Sequence, residues 1–439
     1  MTSPPPPQTS GRRFGWLNRT VLGIALATAF SDFSHEMVTA VLPLYLAKVG
    51  LGASALGLIE GIADFLVSMS KLAGGYAGHL MRRKKPVTAA AYLITALGTT
   101  AIAFVQSVYL VLTFRSVAWM ARGFRGPLRD HLLADAVEPT HYGRAYGIER
   151  AADMLGAVAG PLAATLLVFV GLQLPTVILV AFIPGLLAAA SLLLLARERP
   201  APHPAVSSAP GPRPDPGTSP ARETAAPRRP RFPRTFWLFL IGVTLFGLGD
   251  FSRTFLILIA AGALGDGSSA AAHASTLAGQ LLSVAVLLYA LHNLISAAAA
   301  YPAGQLGDRF GKRRFLVAGY GLGVLTNLLL ALAHHQLGWV VLAIAFSGIY
   351  IAVEETLEKA TVAELLPREL KSLGFGILAA ANAVGDMASS IYVGLLIDAG
   401  RPALAFAIAA GFGAVGVTWM LLLGRATGRD RADATPGGA

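Results

Sequence analysis

Cysteine is absent from the 439 residues. That removes disulfides, thiolate metal sites and cysteine nucleophiles. Charge is scarce, with Asp, Glu, Lys and Arg at 13% of the chain, against about a quarter in an ordinary soluble domain. Acids are scarcer still, 24 against 35 bases, for a net charge of +11. Such an excess can mark nucleic-acid binding, but here the charges lie between apolar runs, so no nucleic-acid partner is expected. H-E-x-x-H, G-x-S-x-G and a glycine-rich phosphate loop are all missing. Neither an enzyme nor a cofactor is therefore expected. The stretch Met1 to Gly15 is proline-rich without a short apolar core, and reads as a cytoplasmic tail rather than a signal peptide.

Apolar residues dominate, at 54%, with mean hydropathy +0.61. A membrane-spanning helix needs about 20 apolar residues. Twelve such segments are expected, at 18–48, 53–80, 86–106, 108–135, 142–170, 174–196, 235–264, 274–307, 313–333, 338–365, 370–398 and 401–424. The fold class is therefore an all-α integral membrane protein. Arg197 to Arg234 holds eleven prolines and eight arginines and cannot build a packed core. The expected organisation is a tail at 1–17, a six-helix half at 18–196, a disordered linker at 197–234, a second half at 235–424 and a tail at 425–439. Nearly all Lys and Arg outside the spans fall on one side, leaving Lys48 and Arg401 on the other. That asymmetry predicts both termini and the linker in the cytoplasm.

The densest motif is G-Q-L-G-D-R-F-G-K-R-R, from Gly304 to Arg314, between segments 8 and 9. Gly304 and Gly311 let two helices and a short joint approach closely. Arg309, Lys312 and Arg313 mark the joint as cytoplasmic. An offset of 229, the difference between Gly75 and Gly304, also places His79 on Asp308 and Tyr146-Gly147-Ile148 on Phe375-Gly376-Ile377. The earlier copy is degraded, with His79 for the acid and Arg82 for the second glycine, followed by Arg83. His79 is expected to be a solvated loop residue. The halves also share Asp32-Phe33-Ser34 and Asp250-Phe251-Ser252.

The spacing G-x-x-x-D-R-x-G-K-R-R resembles the loop signature of the major facilitator superfamily (MFS) of secondary transporters. The resemblance covers about residues 16 to 424 and implies two pseudo-symmetric six-helix halves with a substrate site near the midplane. It gives Asp308 the role of locking the cytoplasmic ends together in the outward-facing state. Gly156, Gly160 and Pro161 form a G-x-x-x-G-P in segment 5 that resembles the motif of the family's antiporters, mostly exporters. Close helix packing is the plainer reading of the same glycines. The D-F-S-H-E-M of segment 1 and the R-G-x-R-x-x-x-R-D of segment 4 resemble a poorly characterised prokaryotic branch.

Intramembrane charges supply the candidate site residues. Segment 1 carries Asp32, His35 and Glu36 within one turn, where carboxylates could carry protons. With Met37 they could be read as metal ligands, but one helical turn rarely completes a metal site, so no metal is assigned. Segment 4 carries Arg115, Arg122, Arg125 and Arg129 at spacings that share one stripe. By resemblance, Arg115 sits where the family often has an arginine linked to proton coupling. Segment 10 carries Glu354, Glu355, Glu358 and Lys359, and the offset maps Arg125 to Glu354, Arg129 to Glu358 and Asp130 to Lys359 with charges reversed. Such reversal suggests ion pairs across the halves. Asp250 and Arg253 occupy the repeat position of Asp32 and His35. Glu60, Asp64 and Lys71 in segment 2, Glu149, Arg150 and Asp153 in segment 5, His292 in segment 8 and Asp386 in segment 11 complete the set.

The expected function is alternating-access transport in the cytoplasmic (inner) membrane, by a monomer surrounded by lipid. The favoured cargo is a small amphiphilic or drug-like molecule exported against protons. The alternatives are uptake of a metal ion, a metal chelate or a small organic ion, and a non-transporting sensor.

Overall fold

A computed structural model describes residues 15–48, 53–198, 231–251, 255 and 284–433. Arg253 and the linker at 199–230 lie outside the described residues. The helices are α1 (Arg19–Lys48), α2 (Ala53–Leu80), α3 (Lys85–Ala101), α4 (Val108–Ala136), α5 (Tyr142–Phe169) and α6 (Leu174–Leu195) in the first half. The second half has α7 (Arg234–Gly247), α8 (Val284–Phe310), α9 (Lys312–Ala333), α10 (Leu337–Leu365), α11 (Lys371–Asp398) and α12 (Pro402–Asp433). No strand occurs among the described residues. Seven of the described helices are long and apolar enough to cross a membrane by length and composition alone. α4 falls outside that set because its arginines interrupt every apolar stretch.

Three boundaries depart from the sequence expectation. The motif from Gly304 to Phe310 is helical, the last two turns of α8, and the joint shrinks to Gly311 at φ +98°. Only glycine adopts that conformation without strain, which explains its place in the motif. In the earlier copy, where Arg82 stands for Gly311, the joint is longer, running from Met81 to Lys84. α12 continues to Asp433, past the expected end at 424. α7 does not run on as one helix; it ends at Gly247 and the chain turns through Leu248 and Gly249 to Asp250.

That turn frees backbone carbonyls inside the bundle, where each needs a partner. Tyr392 donates to the carbonyl of Leu248 at 2.9 Å, Asn327 to that of Gly249 at 2.9 Å and Ser389 to that of Asp250 at 2.8 Å. α9 and α11 thus close the break with side chains.

The two halves meet through matching helix pairs, α5 on α8 and α2 on α11. Glycines set both distances. A Cβ at Gly304 would lie 1.9 Å from the Gly143 carbonyl, and one at Gly147 would lie 2.5 Å from that of Ala300. On the other pair, a Cβ at Gly75 would come within 2.8 Å of the Gly376 Cα. The repeat also governs packing within each half. Gly156 of α5 abuts Ala29 of α1, and its repeat mate Gly385 of α11 abuts Gly247 of α7.

Candidate functional site

α4 lies antiparallel to α1, and its arginines reach that helix one after another. Arg115 donates to Thr39 at 3.1 Å, Arg122 pairs with Asp32 at 2.8 Å, Arg125 donates to Ser31 at 2.6 Å and Arg129 to Thr28 at 3.4 Å. The stripe expected on α4 is therefore an α1-facing ladder. Among the described residues, Arg125 takes no acid. Its second amino group donates to Thr95 at 3.0 Å and its guanidinium lies 4.0 Å from the centre of the Tyr92 ring. Arg129 pairs with Asp130 and Glu149, both at 2.9 Å.

Trp119 organises the middle of this ladder. His35 packs on it at 4.3 Å, and Arg115 and Arg122 flank it at 4.9 and 5.3 Å. His35 also lies 3.4 Å from Thr39. Sequence reasoning missed Trp119. The signal was available, because Trp119 sits four residues after Arg115 and three before Arg122, spacings that share a helical face.

The second half gathers acids. Tyr320 donates to Glu358, which also accepts from Asn382 at 2.7 Å, and Tyr350 donates to Asp250. Glu354 is buried with Asp250, Glu355, Glu358 and Asp386 as its charged neighbours. Lys71, on α2, faces Asp386 and Glu355 from the other half. The first half thus pairs Arg122 and Arg129 with acids of its own, Asp32, Asp130 and Glu149, while carboxylates gather around Glu354 in the second.

Across the halves, the three expected charge pairs fare differently. Lys359 approaches Asp130 and Glu149 at 3.8 Å each. Arg125 is not joined to Glu354, nor Arg129 to Glu358: Arg125 finds hydroxyls, Arg129 acids, and Glu358 a hydroxyl and an amide, each within its own half. A pair that the repeat did not suggest is present instead, Arg150 to Glu355 at 2.7 Å.

One end of the bundle is locked by the two motif copies. Asp308 accepts from the backbone N–H groups of Gly143 at 2.8 Å and Arg144 at 2.9 Å. It thereby caps the N-terminus of α5 with a carboxylate, where the helix dipole favours one. Lys312 reaches Asp308 at 3.4 Å, Glu364 at 3.0 Å and the Pro139 carbonyl at 3.0 Å. Arg309 lies over Phe310, Arg313 against Gly424, and Arg83 is exposed. His79 is not merely solvated: its Nδ1 lies 2.7 Å from the Glu369 carbonyl of the other half. A carbonyl only accepts, so Nδ1–H donates. Arg368 to Asp135 at 2.7 Å and Lys371 to the Tyr142 hydroxyl at 2.6 Å complete the seam. Beside the first copy, Glu198 accepts from the Lys84 and Lys85 N–H groups at 2.6 and 3.1 Å. Burial pushes the Lys84 ammonium down from its ordinary value while Glu198 pulls it up.

Gly156 and Gly160 both face α1, where Cβ atoms would lie 2.3 Å from the Ala29 carbonyl and 2.7 Å from that of Phe33. Pro161 stays inside the helix. Among the described residues, no group of three or more His, Asp or Glu side chains could hold a metal ion.

A family model described as Major Facilitator Superfamily matches residues 24–291 and 256–438. An uncharacterized MFS-type transporter of Methanocaldococcus jannaschii is 24% identical over 381 residues, covering 87% of this chain and 89% of the relative. An uncharacterized protein of Mycobacterium tuberculosis is 24% identical over 392 residues, covering 87% of each chain. The crystal structure of the human organic anion transporter MFSD10 (TETRAN) superposes with a TM-score of 0.70 at 14% identity, over 92% of this chain and 99% of that one.

Proposed function

The chain belongs to the Major Facilitator Superfamily, and from that premise we propose that this transporter couples protons to the export of a small amphiphilic molecule. The observation that carries the reading is the pair of the buried Asp32 with the part-buried Arg122, where α1 meets α4. A carboxylate removed from water needs a partner cation or a proton, and can exchange one for the other. Export is supported by the G-x-x-x-G-P of α5, whose two glycines seat that helix on α1 beside Asp32. The motif-bearing end is the cytoplasmic one under the Lys and Arg asymmetry. Its locked seam then corresponds to a state closed to the cytoplasm, one limit of an alternating-access cycle.

A second reading, uptake of a small organic cation, is favoured by the carboxylates gathered at Asp250, Glu354 and Glu358. The two are separated in proteoliposomes carrying the purified protein and an internal pH-sensitive dye. Cationic drugs, organic acids and divalent metals are added in turn. Export predicts a substrate-driven proton movement that Asp32→Asn abolishes. A proton flux untouched by Asp32→Asn removes this role for Asp32, and flux with small hydrophilic cations alone favours the second reading.

A further inference from the structure

The first half carries a basic cleft that has no part in the transport site. It lies where α1 begins, α4 ends and the chain leaves α6, at the motif-bearing end. Asn18, Arg19, Thr20, Ala136 and Arg197 line a volume of about 380 Å³, within the roughly 300–1,000 Å³ typical of small-molecule sites. Local hydrogen bonds fix its frame. Asn18 Oδ1 accepts from the N–H groups of Thr20 at 2.9 Å and Val21 at 3.1 Å, and its Nδ2 donates to the Ala136 carbonyl at 2.7 Å. The Arg197 N–H donates to the Thr20 hydroxyl at 2.9 Å. Glu198, the next residue, accepts from the Lys84 and Lys85 N–H groups at the start of α3. The Arg197 backbone is therefore pinned from two helices before the linker begins.

Two guanidinium groups stand in that frame without a partner. Arg19 and Arg197 are exposed, and among the described residues neither side chain makes a hydrogen bond or an ion pair. Of the acids near the lining residues in sequence, Glu198 is committed to α3, and Asp135 to Arg368 at 2.7 Å and His131 at 3.2 Å. Only the exposed Glu138 is left against two cations. Paired guanidinium groups suit an anion with several acceptor oxygens, such as a phosphate. The apolar rim narrows the choice. Leu22 follows Arg19 by three residues on α1, and Leu194 precedes Arg197 by three, and they are 46% and 82% exposed. Leucines set directly against unpaired arginines match an amphiphile, with phosphate on the cations and acyl chains on the leucines. A free phosphate would leave the leucines without a role.

We propose that this cleft binds the headgroup of an anionic phospholipid from the leaflet at the motif-bearing end. Arg19 and Arg197 donate to its phosphate oxygens, and its acyl chains run along Leu22 and Leu194. The end of α1 is not the attraction, because Asn18 already caps it. The lipid ties the root of the linker to the membrane surface beside the first turn of α1. All of its contacts lie in the first half, so the site is independent of how the halves rock and of which ion drives them. Under the Lys and Arg asymmetry the leaflet is the cytoplasmic one, which supplies anionic lipid.

The test uses the full chain with a bimane fluorophore on Leu22→Cys, since the sequence offers no other thiol. The protein is reconstituted in mixtures of phosphatidylglycerol and phosphatidylcholine, with one or the other brominated on its acyl chains. Bromine quenches bimane on contact, so the two quenching curves give the lipid preference at the reporter. A second reporter at Leu332→Cys, exposed on α9 of the other half, reads the lipid shell away from the cleft. Phosphatidylglycerol is expected to be preferred at position 22 and not at 332. Arg19→Gln and Arg197→Gln are each expected to lower that preference by about fivefold, and the double variant should bring it to the value at 332. Both side chains are exposed and unpaired, so unfolding midpoints should match the parent, and the single variants carry the test if the double one fails to fold. Equal quenching by the two lipids at position 22 overturns the proposal, as does a preference that survives both substitutions. Inorganic phosphate, added at constant ionic strength, is expected to leave the preference unchanged. A preference lost to inorganic phosphate would give the cleft to the free anion and overturn its assignment to lipid.

Discussion

Single residues decide how the seam is held. Asp308 offers two carboxylate oxygens to two N–H groups of α5, at 2.8 and 2.9 Å. Asp308→Asn replaces one acceptor with a donor, leaving one helix-end N–H facing another donor. The loss is expected at about 1–2 kcal/mol, the range for a lost helix cap. Thermal unfolding in detergent should show a lower midpoint, and paired nitroxide labels at the exposed positions Arg82→Cys and Arg314→Cys, one in each half, should report more of the open state by electron paramagnetic resonance. An unchanged midpoint and distance would mean that water replaces the carboxylate at no cost. That Asp308 meets the other half could be anticipated, because a long mixed motif carries it. The role of His79 could not, since its partner is a backbone carbonyl 290 residues away. The same limit applies to Arg150, whose spacing from Asp153 announces only a local pair while Glu355, its other partner at 2.7 Å, lies on the other half.

Elements were the most legible scale. Spans read from apolar run length agree with the described helices to within a few residues over most of the chain, because a spanning helix must satisfy its backbone internally and hide its flanks in lipid. The break after Gly247 was hidden for the opposite reason. Tyr392, Asn327 and Ser389, far along the chain, supply the donors that make it tolerable. Glycine function divides along the same line. Gly156→Ala would put a Cβ 2.3 Å from the Ala29 carbonyl, while at Gly126 nothing lies within 4 Å. The first should push α5 off α1 at about 1–3 kcal/mol, the range for overpacking. The second should be neutral or stabilise by up to about 1 kcal/mol through helix propensity. Parallel unfolding midpoints of the two variants would check the contrast, and equal midpoints would deny any special closeness of α1 and α5.

At the scale of the whole molecule, the internal repeat revealed the symmetry of the halves but not which charges join them. Of the three charge pairs that the repeat aligns, only Asp130 with Lys359 spans the halves, since Arg125 and Glu358 are already satisfied at home by hydroxyls and amides. The junction depends instead on residues whose importance appears only once the halves are packed. Arg368 and Asp135 meet across the seam at 2.7 Å with side chains 30% and 11% exposed. A pair this accessible is worth about 1 kcal/mol at most, equivalent to about a fivefold change in an equilibrium. Asp135→Asn and Arg368→Gln should therefore each raise the open-to-closed ratio by about fivefold, and the double variant should do no more than either alone. The amide introduced by Asp135→Asn keeps an oxygen that can accept from His131, which lies 3.2 Å from the Asp135 carboxylate, so the cycle isolates the cross-half term. Additive effects, about twenty-five-fold in the double variant on the same conversion, would show that the two residues act separately and that the seam closes through Asp308 and the glycine contacts.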